Sequence, residues 1–317
     1  MNNGIRAYAP ASVSNVACGF DIMGFAIDQP GDTVTVRLTP NPGVHIRSVS
    51  GIPCSLPMDG TRNTAAAPVI ALLKHCKTRM GAEIDIHKGI PVSGGIGSSA
   101  ASAVAAAIAC NALLDLGMSK HELLPFAIEG EKIASEAVHV DNLAPSLLGG
   151  FCLIRGYDPI DIVPVRAPRQ LWCTILHPHM EINTRESRKL LPRSVPLADV
   201  IRQTGNAAGL IAGLLQEDFG LISRSLHDVV AEPVRKHLIP GFEPMKDAAL
   251  SAGALGCGIS GSGPSLFALS TSEQTANAVG MAMGSVLTSL RHGWSVVVSG
   301  INQTGARIIP ANNDEPA

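Results

Sequence analysis

Aromatic residues are scarce in this chain: 2 Trp, 2 Tyr and 7 Phe among 317 residues, about too few for a surface that stacks nucleic-acid bases. Charge is sparse too, at 16% against about 25% in an average soluble domain. Neither sign prevails, since 24 Lys+Arg stand against 26 Asp+Glu. With a pI near 6.5 there is no basic surplus to coat a phosphate backbone or an anionic membrane. Mean hydropathy is +0.24, which raises the question of a membrane span. No run reaches the ~20 apolar residues a span needs. The longest weakly polar stretch, 100–114, is mostly alanine and is interrupted by Ser102 and Asn111. Met1-Asn2-Asn3-Gly4 has neither a basic start nor an apolar segment, so a cytoplasmic protein is expected. The 7 cysteines are an odd number with no C-x-x-C pair, which argues against a disulfide framework or a zinc site.

What the chain does have is 32 glycines and 22 prolines in an otherwise apolar, ordered sequence. Its length gives a prior of roughly two domains. Alternation of apolar and polar residues predicts strands at 33–38 and 83–87, and apolar runs predict strands at 151–154, 172–176, 265–269 and 294–299. Helical spacing predicts helices over 68–80, 98–116, 120–138, 198–215, 243–255 and 272–290. Prolines at 159, 164 and 168 mark a boundary, dividing the chain into domains at 1–160 and 161–317. The mixture lacks regular βαβ units and argues for the α+β class.

The most informative segment is Pro91-Val92-Ser93-Gly94-Gly95-Ile96-Gly97-Ser98-Ser99-Ala100-Ala101. Its glycines allow positive φ and a close-lying ligand, and Ser98 is placed to cap the following helix. First-turn amides have no acceptor within a helix and lie at the positive end of its dipole, which makes a phosphate site. A Walker loop would need a lysine where Ser98 stands. A dinucleotide fold would need a fully apolar strand before the loop, but Glu83, Asp85 and His87 alternate there with isoleucines. Two readings stay open at this point: a phosphate loop without lysine, and a glycine turn capped by serine.

Three segments carry a family resemblance. The loop resembles the P-x-x-x-G-L-G-S-S-A phosphate loop of the GHMP kinases; Ala9-Pro10-Ala11-Ser12-Val13-Ser14-Asn15, running on to Gly19-Phe20-Asp21, resembles their substrate-side motif; and Gly258-Ile259-Ser260-Gly261-Ser262-Gly263-Pro264-Ser265 resembles their third, glycine-rich motif. The resemblance implies a two-domain α+β fold, with an N-terminal lobe like ribosomal protein S5 domain 2 and a C-terminal ferredoxin-like lobe. It also implies ATP and Mg²⁺ as cofactors, with residues 91–101 and Asn63 on the nucleotide side.

Within the family the chain is most similar to members acting on L-homoserine. The segments that carry this are His139-Val140-Asp141-Asn142, Ile182-Asn183-Thr184-Arg185-Glu186-Ser187-Arg188 and Glu232-Pro233-Val234-Arg235. That implies phosphorylation of the side-chain hydroxyl in threonine biosynthesis. Ser99 and Glu131 are then the metal ligands, and Asp141 an optional proton acceptor. Arg188 and Arg235 suit the carboxylate of a zwitterion. Asp21, Asn15 and Asn142 fall to its ammonium and hydroxyl ends, while His139 orients Asp141 or substrate and Thr184 caps the helix bearing Arg188. His177-Pro178-His179 reads as structural. Homodimerisation is a family expectation. The alternatives are a sister kinase acting on mevalonate or an isoprenoid precursor, and a ligand sensor of the same fold without transfer chemistry.

Overall fold

The computed structural model describes residues 4–92, 94–134 and 138–310. In chain order the elements are β1 (Ile5–Ser14), β2 (Met23–Thr39), β3 (Val44–Gly51), α1 (Ala66–His75), β4 (Gly81–Lys88), α2 (Ser98–Leu113), α3 (Lys120–Ala134) and α4 (Val140–Leu148). Next come β5 (Phe151–Tyr157), β6 (Ile160–Val165), β7 (Trp172–Pro178), α5 (Thr184–Lys189), α6 (Leu197–Gln216), α7 (Phe219–Ser225) and α8 (Glu232–Arg235). The last are α9 (Phe242–Ser251), β8 (Gly256–Ile259), β9 (Leu266–Ser270), α10 (Glu273–Ser289), β10 (Trp294–Gly300) and β11 (Arg307–Ile309).

Two sheets result, as the α+β reading expects. One runs β11-β1-β2-β4-β3, with β5 on β2 and β6 on β5; the other runs β10-β7-β9-β8. Because β6 still pairs in the first sheet, the expected division at 160/161 falls at the start of that strand. The chain then returns to the first sheet through β11, which pairs antiparallel with β1. The two connections between sheets touch: the Gln303 side chain accepts from Ala167 N at 3.4 Å and donates to Ala167 O at 3.3 Å. Helix α1 ends at His75, short of residue 80, with Lys77 turning at φ +52°. Residues 135–137, within the expected helix at 120–138, lie outside the described residues, as do Ser93 and residues 311–317.

Helix α2 is buried along its length from Ala100 to Cys110. Its small side chains let it sit close against β1 and β2, and a Cβ on Gly130 of α3 would come within 2.6 Å of Ala103. One face of the second sheet (Cys173, Ile175, Phe267 and Leu269) joins the core of the first. There Phe267 meets Phe25 edge-on at 6.0 Å, and Phe25 lies 4.7 Å from Phe151. The opposite face, with Leu176 and Leu266, packs on Met245 of α9 and on Val279 and Met283 of α10. Among the described residues no helix is long and apolar enough to cross a membrane.

Strand β4 turns Ala82, Ile84 and Ile86 inward and Asp85 outward, where Asp85 pairs with Arg37 and Arg47. Period-two alternation also carries Lys88 inward. Its ammonium pairs with Asp32, both side chains at 3% exposure or less, and donates to Ser102 Oγ at 3.0 Å and Ser98 O at 3.1 Å. Asp32 further accepts from the amides of Gly89 and Ile90 at 3.1 Å each. A buried charge stripped of its partner is strongly destabilising. Asp32→Ala is expected to lower the unfolding free energy in urea by about 3–5 kcal/mol, with the midpoint of equilibrium denaturation as the measurement.

Candidate active site

A cleft of about 1140 Å³ opens between the glycine loop before α2 and the turn after β8, and α4 and α5 line it further along. That is large enough for more than one small ligand, since single-ligand pockets span about 300–1,000 Å³. Val92, Gly94, Gly95, Gly97, Ser98 and Ser99 face it. Ile96, Ala100 and Ala101 turn their side chains into the core, so only their backbone can serve a ligand, and Pro91 lies just before the turn. Gly95 and Gly97 adopt φ +74° and +69°. A Cβ on Gly97 would stand 2.2 Å from Ser12 Oγ, so the loop requires glycine there.

The cap differs from expectation. Gly97 in the left-handed region is the N-cap of α2, with no side-chain capping bond. Ser98 is instead the first helical residue, and its hydroxyl donates to Ile90 O at 3.2 Å. Its own first-turn amide therefore stays unengaged by a side-chain cap, as a ligand-binding helix start requires. Three successive loop carbonyls are tied from outside. Gly94 O accepts from Ser265 Oγ, Gly95 O from Ser260 Oγ at 2.7 Å, and Ile96 O from the Ser12 amide at 3.2 Å. In a trans peptide the C=O and the following N–H point in opposite directions. The anchors thus turn the amides of Gly95, Ile96 and Gly97 away from those partners.

Beside the loop, Ser99 Oγ donates to Glu131 Oε1 at 2.9 Å. Glu131 is 3% exposed on α3, and burial lifts its carboxyl to about 7 against the opposing pull of the Ser99 bond. Among the described residues no cluster of three or more His, Cys, Asp or Glu could hold a metal by itself.

The other end of the cleft is charged. Asp21 sits at φ +59°, its amide donating to Asn15 Oδ1 at 2.9 Å and its carbonyl accepting from Tyr157 Oη at 2.5 Å. Its carboxylate accepts both Arg188 ends, Nη2 at 2.6 Å and Nη1 at 3.3 Å. Arg235, 4% exposed, places its guanidinium 4.9 Å from the Phe20 ring and donates to Gly261 O at 3.3 Å. Its Nε is buried with no partner among the described residues.

Asp141, in the first turn of α4, is 2% exposed, and burial, with the charges of Asp21 and Glu131, raises its carboxyl to about 7. A Cβ on Gly24 would lie 1.8 Å from the Asp141 carbonyl oxygen, so glycine there lets α4 approach β2. Next to it, Asn142 accepts from Ser12 Oγ at 2.9 Å and donates to Ser14 Oγ at 3.0 Å. His139 is the N-cap of α4 and lines the cleft, with burial holding its imidazole below the usual value.

Two expected placements change. Asn183, not Thr184, caps α5 by accepting from Arg185 N and Glu186 N, while Thr184 Oγ1 meets Ser262 Oγ at 3.0 Å. Asn63 is buried off the cleft, accepting from Ala65 N at 2.9 Å and donating to Pro57 O at 2.8 Å; its neighbour Thr64 faces the cavity. Residues the sequence reading missed are Lys88, which lines the cleft with its ammonium on Ser98 O, and the carbonyl anchors Ser260 and Ser265. Alternation put Lys88 in phase with Ile84 and Ile86, which was the available signal.

The fold and cleft are those of a small-molecule kinase: the chain belongs to the GHMP kinase family. The family model "GHMP kinases N terminal domain" matches residues 63–150, and "GHMP kinases C terminal" matches 210–287. The chain is 49% identical to the homoserine kinase of Chlorobaculum tepidum, over 96% of this chain and 98% of that one. With the homoserine kinase of Xylella fastidiosa strain M12 the identity is 41%, over 96% and 94%. It superposes on the crystal structure of homoserine kinase from Cytophaga hutchinsonii with a TM-score of 0.94 at 48% identity, covering 98% of each chain. A mevalonate kinase from L. major shares the fold at TM-score 0.71 and 16% identity.

The two raised carboxyls tie stability to pH. Asp141 and Glu131 keep protons in the fold to about pH 7, whereas their ordinary values are 3.8 and 4.5. The folded chain holds more protons across that window, so its stability is full below it and falls as pH rises through it. Asp141→Asn is expected to flatten this fall, measured as urea midpoints of ligand-free protein between about pH 5 and 8.

Proposed function

We propose that this chain transfers the γ-phosphoryl group of ATP to the side-chain hydroxyl of L-homoserine, giving O-phospho-L-homoserine and ADP in threonine biosynthesis. The observation that supports it most is one cleft with an amide-lined glycine loop at one end and Asp21 facing two arginines at the other. The loop amides grip the nucleotide phosphates, and a phosphoryl group leaving ATP in line with the hydroxyl meets them at short range. Asp21 and Arg188 already satisfy each other. A zwitterion replaces that pairing on both sides, ammonium to Asp21 and carboxylate to Arg188 and Arg235. Mevalonate has no ammonium to offer Asp21.

Ser99 and Glu131 fit a divalent cation: they bring two hard oxygen donors, 2.9 Å from each other, and phosphate oxygens and water would supply the rest of its ligands. Bound Mg²⁺ would neutralise the phosphate charge that develops during transfer. Transfer through a loose transition state rests on positioning and charge stabilisation, and Asp141 is an optional acceptor for the hydroxyl proton.

A coupled ADP-release assay over a panel of amino-acid and isoprenoid alcohols, with and without Mg²⁺, tests the reading. ADP is expected with L-homoserine and Mg²⁺. Release with mevalonate alone would overturn the substrate assignment, and ligand binding without ADP would favour a sensor. Glu131→Gln is expected to lower kcat by about 10²–10³-fold, with KM for homoserine little changed.

A further inference from the structure

His177 lies outside the set of groups that face substrate, yet it reaches the glycine loop through one intermediary. It sits in β7, where the pairing Leu176↔Leu266 continues to set it across from Ser265. Cys173 and Ile175, four and two residues earlier in β7, point into the core shared with the first sheet. His177 ends that row, beside the loop. Its Nδ1 is 3.0 Å from Ser265 Oγ, and Ser265 Oγ donates to Gly94 O.

The direction of this relay is fixed by chemistry. A carbonyl oxygen has no proton, so the single hydroxyl proton of Ser265 goes to Gly94 O. Ser265 Oγ can then only accept from the imidazole, which places a proton on Nδ1. Ser265 is 0% exposed, so water does not compete for its lone pairs. With His177 donating, the hydroxyl has one remaining rotamer, the one that holds the Gly94 carbonyl outward. The opposed geometry of a trans peptide then directs the Gly95 amide the other way.

We infer that His177 is a positioning residue for the phosphate-gripping loop, acting through Ser265 on the Gly94–Gly95 peptide; this rests on the kinase reading above. The role is specific to the nucleotide end. The substrate-end groups Asp21, Arg188 and Arg235 take no part in the relay.

The test compares His177→Phe, His177→Asn, Ser265→Ala and the double variant His177→Phe/Ser265→Ala, with circular dichroism melting as a fold control. Affinity for a non-hydrolysable ATP analogue and KM for ATP and homoserine are the readouts. His177→Phe and Ser265→Ala are each expected to weaken nucleotide binding and raise KM for ATP about tenfold, the size of one hydrogen bond to a charged group, with KM for homoserine unchanged. His177→Asn, which returns an N–H donor near the Nδ1 position, is expected to recover most of the loss. The double variant is expected to be no worse than Ser265→Ala, because both act on one peptide. Wild-type nucleotide affinity in His177→Phe, additive losses in the double variant, or equal losses for both substrates would each overturn the inference. Wild-type protein that binds no ATP analogue would instead overturn the kinase reading beneath it.

Discussion

A peptide unit cannot offer its C=O and its N–H to the same side, and the glycine loop depends on that constraint. Its amides are available to a ligand only because other parts of the chain claim its carbonyls. Ser12 of β1 holds one from the first sheet, while Ser260 and Ser265 hold two from the turn between β8 and β9. The loop is therefore the property of both sheets. The apolar seam of Phe25, Phe151 and Phe267 sets how far apart those anchors stand.

Charge in the cleft follows the same logic of mutual claim. Lys88 lines the cleft, but its ammonium is committed to Asp32 and to Ser98 O, so the lysine braces backbone rather than offering the cleft a free charge. Asp21 and Arg188 hold each other, one charge of each sign side by side at the far end of the cleft. Glu131 and Asp141 avoid the cost of buried charge by keeping protons near neutrality, a state that a bound cation would change.

Much of this was legible in the sequence. Alternation at 83–87 and the alanine-rich run at 100–114 carried β4 and α2, and the glycine spacing at 94–97 located the loop. Less legible were features decided by distant partners. Nothing local says that Ser98 spends its hydroxyl on Ile90 O, which leaves Gly97 as the cap, or that Asn183 outcompetes Thr184 one residue on. Strands β1 and β3 escaped the periodicity reading, β1 because it is buried on both faces along most of its length and shows little alternation. The pairing of Lys88 with Asp32 spans 56 positions, and only its phase with the isoleucines betrays the inward turn.

The clasp between Gln303 and Ala167 has a mechanical consequence. The second sheet hangs from the first by two covalent leads, and the Gln303 amide bonds one to the other from both sides. A single lead would allow swivelling about its own axis. Two leads fastened together over the shared apolar core oppose that swivel, as a second bolt stops a plate from turning about the first.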